Sequence, residues 1–570
     1  MKKSILGKRI MCMALITGLL ISGLAGCSKK GEPSDSNSKG EATTTPSKEA
    51  EATKDAAKDP MADSNGDGFT DGITLDGSGS VNIFAFSEGQ NYEKVISKFE
   101  ELTKDTLKTD LNFQWASDIK TEQPLQLAAQ GDIDLIFDAG WLNMASNISQ
   151  GMYQDISKYF NNPEYPGLQK AFSPDVVESM KNPADGMIYG IPFYTSYNNI
   201  PAILIRGDWR EKLGCDPVVD DATLQKYLEA VDAHKDELGA VSAMGLGDRE
   251  FYYFQNKAYD LQDKHIFEVP STGARITQYA YVLLNDANNQ VLDVAYVGDP
   301  DSEFADWPIT NNFLNASTLN LANTWSKFVN GDAITLSGAD KTSKFQTGLY
   351  GAVENELSGL PTIEKELKKT DPNAKLEYYI YDDQIRNKSS VYMYPAISNN
   401  YLCVPYFNEN PDRAMAVLDW VFENQKNNDL FNYGIEGEDY EAVGDSQYKV
   451  LTNDAQYTFP TWLWSNNPTY MRYDAELPAD ILDYIKWSAD ANNFKKNPFA
   501  GFNFDITNIA TEYTAFTTIQ QDYYKQFMSG LFGSETQAKL DEFYGKTKDY
   551  SAALKEEVKK QMNDYFANKK

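Results

Sequence analysis

The sequence predicts an α/β fold divided into two lobes, and three observations lead there. Between Val81 and Phe137 short apolar runs alternate with helical patterns at a spacing that implies parallel βαβ units. At 570 residues the chain is too long for one ordinary core. After a middle region of short strands and helices, 239–390, a pattern of strand then helix returns from Ser398 onward.

Residues 1–26 read as a secretory leader. Lys2, Lys3, Lys8 and Arg9 make a basic start, and the apolar run Ile10 to Ile21 is too short for a comfortable membrane span. The leader ends in Leu24-Ala25-Gly26-Cys27, which resembles a bacterial lipobox. That resemblance implies that Cys27 is lipidated, carries palmitate and becomes the first mature residue. The other reading is an ordinary cleavage site that precedes a cysteine.

Residues 27–77 read as a disordered tether. Ser28 to Pro60 holds Ser, Thr, Lys, Glu, Ala and Pro without an aromatic residue or a sustained apolar pattern, so it cannot bury enough surface to fold. A coil of roughly 50 residues has an r.m.s. reach on the order of 40 Å. Inside the tether, Asp63, Asn65, Asp67 and Asp71 stand at loop positions one, three, five and nine, with Gly68 at six. They resemble the first part of a calcium loop, but Thr74 stands where a bidentate Glu belongs. Weak calcium binding and a turn-rich acidic linker are both consistent with this pattern, and no other cofactor is called for.

The folded part opens with a buried strand, Val81 to Phe86, and a polar exit loop, Ser87 to Gln90. Tyr92, Val95, Ile96, Phe99 and Leu102 follow at helical spacing, and Leu111, Phe113 and Trp115 alternate with polar residues as a half-buried strand should. A helix near Thr121 to Gln130 leads to a third strand, Ile133 to Phe137. In parallel sheets ligands collect outside the carboxyl ends of the strands. That rule selects Glu88 after the first strand, and Asp138 and Trp141 after the third. Trp141 has two readings, a cleft wall or a core residue of the next helix.

The stretch 182–214 is the hub of the chain. Gly190 and Pro192 set a bend, and Tyr194, Ser196, Tyr197, Asn198 and Asn199 offer stacking and hydrogen-bonding groups between two strands. Gly186-x-Ile188-Tyr189-Gly190-Ile191-Pro192, followed by Ile205-Arg206-x-Asp208-Trp209 and Leu213-Gly214, resembles the family 1 extracellular solute-binding proteins, receptors of ABC importers. Asp134 to Trp141 is similar to the family's D-x-x-Phe-x-x-x-Trp segment. Phe431 to Tyr440, with its Tyr-Gly-Ile-Glu-Gly run, and Phe499 to Gly530 are similar to one subgroup of that family. The resemblance implies a two-lobed, periplasmic-binding-protein-like fold of type II, its lobes joined by hinge crossings and closing over a solute. Lobe 1 would comprise 78–198 and 395–450, and lobe 2 would comprise 199–394 and 451–570.

Later segments add candidates. Asn410-Pro411-Asp412 starts a helix with a cap, a first-position Pro and an early acid. Thr461 to Pro468 carries Trp462 and Trp464 in a polar, Pro-ended run, which reads either as a stacking wall or as a plug between lobes. Amphipathic helices near Glu535 to Tyr544 and Ser551 to Phe566 end the chain. His234 and His265 stand next to no plausible nucleophile and read as structural or surface residues. Cys215 and Cys403 either pair or remain buried thiols.

A formal charge of −31 makes nucleic acid a poor partner. Tyr and Trp faces stack on pyranose rings while Asn and Glu bond the hydroxyls, so sugars suit the residue supply best and peptides come second. Ligand contacts are expected from Glu88, Trp141, Tyr194, Tyr197, Asn198, Glu436, Trp462 and Trp464. No second apolar span of about 18 residues follows the leader, so import needs a separate ABC permease. The expectation is a monomeric, non-enzymatic receptor anchored by lipid on the extracellular face of the cell membrane. A secreted glycosidase, with two carboxylates about 5–10 Å apart, and a surface adhesin or sensor without a transporter are the rivals.

Overall fold

The computed structural model describes residues 59–570 apart from 141, 183–184, 195–199, 248–260, 270–279, 297, 310–322, 334, 390, 394–396, 452–456, 461–462, 464–467, 500–501, 503, 529 and 569–570. The leader, Cys27 and the tether up to residue 58 therefore lie outside the described residues.

Lobe 1 is built on a five-stranded sheet. Its strands are β1 (Gly79–Phe86), β2 (Thr109–Ala116), β3 (Leu135–Ala139), β4 (Ile191–Tyr194) and a returning strand, β12 (Ile397–Cys403), in the order β2-β1-β3-β12-β4. β1 runs parallel to β2 and β3, whereas β12 runs antiparallel to both β3 and β4. All four of β1 to β4 therefore end at the same edge of the sheet. The helix Pro411–Glu423 packs into this lobe and is buried from Arg413 to Glu423, which explains its nearly continuous apolar sequence. Asn410, the expected cap, makes no capping bond through its side chain. Its backbone N–H donates instead to Asn408 Oδ1 at 2.7 Å.

The segment 59–77, assigned to the tether by composition, is docked on lobe 1. Phe69 stacks on Trp420 with ring centroids 6.3 Å apart, and the Trp420 indole donates to the Thr70 carbonyl at 3.0 Å. The Thr70 hydroxyl bonds Glu423, Asn424 donates to the Gly68 carbonyl at 3.1 Å, and Arg413 donates to the Gly77 carbonyl at 3.1 Å. Gly72 has φ +78° and lies so close to the indole that a Cβ would come within 2.7 Å of Trp420 Cδ1, a conformation and approach that glycine allows. This strap escapes a compositional reading because it is held by polar groups and a few anchors, with no period.

Lobe 2 carries a four-stranded sheet of β5 (Pro201–Arg206), β6 (Ser242–Gly245), β10 (Tyr350–Glu356) and β11 (Leu376–Tyr379), ordered β11-β5-β10-β6. Beside it lies an antiparallel meander, β7 (Ile266–Val269), β8 (Ala280–Leu284) and β9 (Val291–Ala295). The helices Ala510–Met528 and Thr536–Asn568 cover that meander: Phe516, Leu554, Val558 and Met562 share a core with Phe267, Val282 and Val294. The last helix is one continuous element of 33 residues, not the two expected. Its buried stripe runs through Thr547 and Ser551, two small polar residues that interrupt the apolar pattern without interrupting the helix. Tyr457, Phe459 and Leu463, placed in lobe 2 by the sequence, lie in the lobe 1 core. Cys215 and Cys403 are free thiols. Among the described residues no helix is long and apolar enough to cross a membrane.

Candidate functional site

The parallel strands of lobe 1 bring the first candidates to one edge. Glu88 follows β1, the turn that carries position 141 follows β3, and Tyr194 closes β4 at the start of the crossing into lobe 2. Glu88 is exposed. Its loop is held rigidly: Ser87 and Asn91 have φ of 62° and 55°, and Gln90 exchanges backbone bonds with Thr458 at 3.1 and 3.0 Å. A Cβ on Gly89 would lie 2.2 Å from the Thr458 carbonyl oxygen, so only glycine permits the pairing. Thr458 and the buried Phe459 of the lobe 1 core thus stand directly beside the Glu88 loop.

Asp138, which the strand-end rule also selected, is not a solute contact. It is wholly buried, and its carboxylate accepts from the Ala139 and Asn143 backbone N–H groups, from Asn147 at 2.8 Å and from the Tyr153 hydroxyl at 2.6 Å. Burial raises its pKa against those bonds. Such a fully occupied carboxylate shapes the turn after β3. Trp141, Tyr197, Asn198, Trp462 and Trp464 themselves lie outside the described residues, as does the side chain of Tyr194.

Glu436 stands elsewhere. Its exposed carboxylate pairs with Lys426 at 3.7 Å, and that ammonium also donates to the Asp67 carbonyl at 3.1 Å and lies over the Phe69 ring. The structure therefore groups Glu436 with the strap, not with Glu88. In the same Tyr-Gly-Ile-Glu-Gly run, Gly434 has φ +91° and Asp439 accepts from the Ile435 backbone N–H at 2.8 Å, so the run makes a tight turn.

Lobe 2 supplies groups that the sequence did not single out. Glu356 ends β10 and is paired in register with Pro201, close behind the crossing. The buried Lys341 ammonium donates to the Glu354 carbonyl at 2.6 Å, and the Tyr381 hydroxyl donates to the Glu354 carboxylate at 2.7 Å. Burial raises the Glu356 pKa to about 7 and lowers that of Lys341, the latter opposed by the two glutamates. The alternation Glu354-Asn355-Glu356 in an otherwise apolar strand is the signal that points to them.

The acidic loop is closed by its own hydrogen bonds. Asp63 accepts from the backbone N–H groups of Gly66, Asp67 and Gly68 at 2.7, 3.2 and 2.9 Å, and Asp67 accepts from Phe69 N–H at 2.9 Å. Asp71 bonds the Ser64 hydroxyl and backbone N–H. Asn65 Oδ1 accepts from Asp67 N–H at 3.0 Å. Among the described residues no three His, Cys, Asp or Glu side chains converge at metal-binding spacing.

The sheet order, with a strand that returns after the lobe 2 sheet inserted between β3 and β4, defines the type II periplasmic-binding-protein fold in lobe 1. Solved structures agree. The N-glycan transport solute-binding protein of Streptococcus pneumoniae aligns with a TM-score of 0.63 at 15% identity, over 86% of this chain and 100% of that one. The alginate-binding protein AlgQ2, solved without calcium, aligns with a TM-score of 0.57 at 15% identity over 87% and 99%. An EF-hand mutant of the S. pneumoniae ABC-transporter substrate-binding protein FusA, solved with fructo-nystose, gives 0.54 at 15% identity over 86% and 100%. The chain thus has the fold of the solute-binding proteins, as the Gly-Ile-Pro resemblance implied. The profile of a family described as a domain of unknown function (DUF3502) matches residues 498–567, the segment that covers the β7–β9 meander. No curated protein matches the sequence.

Proposed function

We propose that the protein is a non-catalytic receptor that holds an oligosaccharide between its lobes and hands it to an ABC permease. One observation carries the reading: the solute-binding fold sets the ends of β1, β3 and β4 in a row beside the crossing, with the exposed Glu88 carboxylate at that edge. The likeness to proteins described with N-glycan, alginate and fructan ligands favours a carbohydrate over a peptide. Lipidation at Cys27 would hold the monomer on the extracellular face of the membrane, with residues 27–58 as the free tether. Asp63, Asn65, Asp67 and Asp71 form a proposed calcium site whose role would be to stiffen the strap; a thermal midpoint unmoved by calcium removes it. The receptor reading is tested by calorimetry against oligosaccharide panels, with the same mixtures analysed for hydrolysis. Stoichiometric binding without cleavage supports it, and turnover sinks it.

A further inference from the structure

We propose that Trp115, oriented by Tyr92, forms the outer sugar subsite of lobe 1 and makes the protein select for chain length. The inference rests on the carbohydrate reading above and deepens it. β2 is parallel to β1 and stands at the sheet edge, so the carboxyl end that carries Trp115 belongs to the same row as Glu88 and Tyr194. From β2 to β4 there are four strand steps, and at about 4.8 Å per step the row is roughly 19 Å long. A row of that length suits a chain of several sugars, with its far end at Trp115.

The indole is held by three rings, Phe113, Tyr92 and, edge-on at 6.4 Å, Phe459, and keeps part of its surface exposed. Trp115 is half-buried on an edge strand. One side is covered by Phe113, whose ring lies 5.1 Å away at an interplanar angle of 9°. The indole N–H donates to the Tyr92 hydroxyl at 2.9 Å, and the Tyr92 ring stands across it at 83°. Burial raises the Tyr92 pKa, and the nearby Glu88 charge adds to that. The Tyr92 hydroxyl therefore fixes the orientation of the indole, and the exposed Glu88 carboxylate lies near that hydroxyl. The backbone bonds between Gln90 and Thr458 hold the Glu88 loop in place. A pyranose that stacks on an indole of already fixed tilt loses less freedom on binding.

The test compares Trp115→Ala, Trp115→Phe and Tyr92→Phe with the unaltered protein. Affinities are measured for malto-, manno- and fructo-oligosaccharide ladders from disaccharide to hexasaccharide, and thermal midpoints are recorded alongside. The expected result is a loss of roughly tenfold for the longest bound chains in Trp115→Ala, little change for the shortest, and a smaller loss in the two conservative variants. Equal losses at every length, or none in any folded variant, overturn the assignment. Failure of the unaltered protein to bind any ladder overturns the carbohydrate reading as well.

Discussion

Lobe 1 has two sides of opposite character. Behind the sheet, the strap 59–77 and the helix Pro411–Glu423 are joined by buried contacts around Trp420, which is fully enclosed. At the sheet's carboxyl edge, Glu88 is exposed and Trp115 and Tyr92 are half-buried. The first side holds the fold, and the second leaves polar groups and ring faces open to a solute. Polar residues alone do not tell the two apart: the strap is as polar as the edge, but its polar groups already have partners.

That contrast predicts that stability and binding separate by position. Trp420→Ala should have the largest effect, a loss of about 3–5 kcal/mol with faster proteolysis of the strap and unchanged sugar affinity in the folded fraction. Impaired binding at unchanged stability would erase the distinction. Thr70→Ala, which removes the hydroxyl from Glu423, should cost about 1–2 kcal/mol by denaturant unfolding and nothing in affinity.

Acidity gives a second handle on the rear side. Asp419 and Glu423 stand one helical turn apart and wholly buried. Burial pushes Asp419 up to about 7, and burial with the Asp419 charge pushes Glu423 up too. Because both are raised, the folded chain holds more protons than the unfolded one between about pH 4 and 7. The contribution of this pair to stability is therefore greatest below the ordinary carboxylate range and falls as pH rises toward neutrality. Asp419→Asn should flatten that part of the curve of thermal midpoint against pH, and an unaltered slope would assign it to other groups.

Smaller effects are expected at the edge. Gly89→Ala forces a Cβ against the Thr458 carbonyl and should weaken binding by loosening the Glu88 loop, with a midpoint shift of a few degrees. Glu88→Gln should lower affinity only a few-fold and leave the midpoint in place. A large loss of stability with Glu88→Gln would move that residue to the rear category.

Much of this architecture was legible in the sequence. The alternation of strands and helices gave β1 to β3 and their parallel course, and the rule that ligands gather at strand ends selected Glu88. The same rule applied to β2 would have selected Trp115, but the half-buried alternation of Leu111, Phe113 and Trp115 read as packing alone. Asp138 obeyed the rule and proved to be a wholly buried turn organiser, because sequence does not show how many donors a carboxylate meets. Glu436 lies in a family-like run yet pairs with Lys426 beside the strap. The strap itself was hidden because docking through Thr70, Trp420 and Asn424 has no periodicity to read.

The most direct measurement is titration calorimetry of the soluble chain against an oligosaccharide library, with mass analysis of each mixture after incubation. One bound oligosaccharide per protein, recovered intact, is the expected result. Cleaved sugar, or saturable binding of peptides in place of glycans, would contradict it.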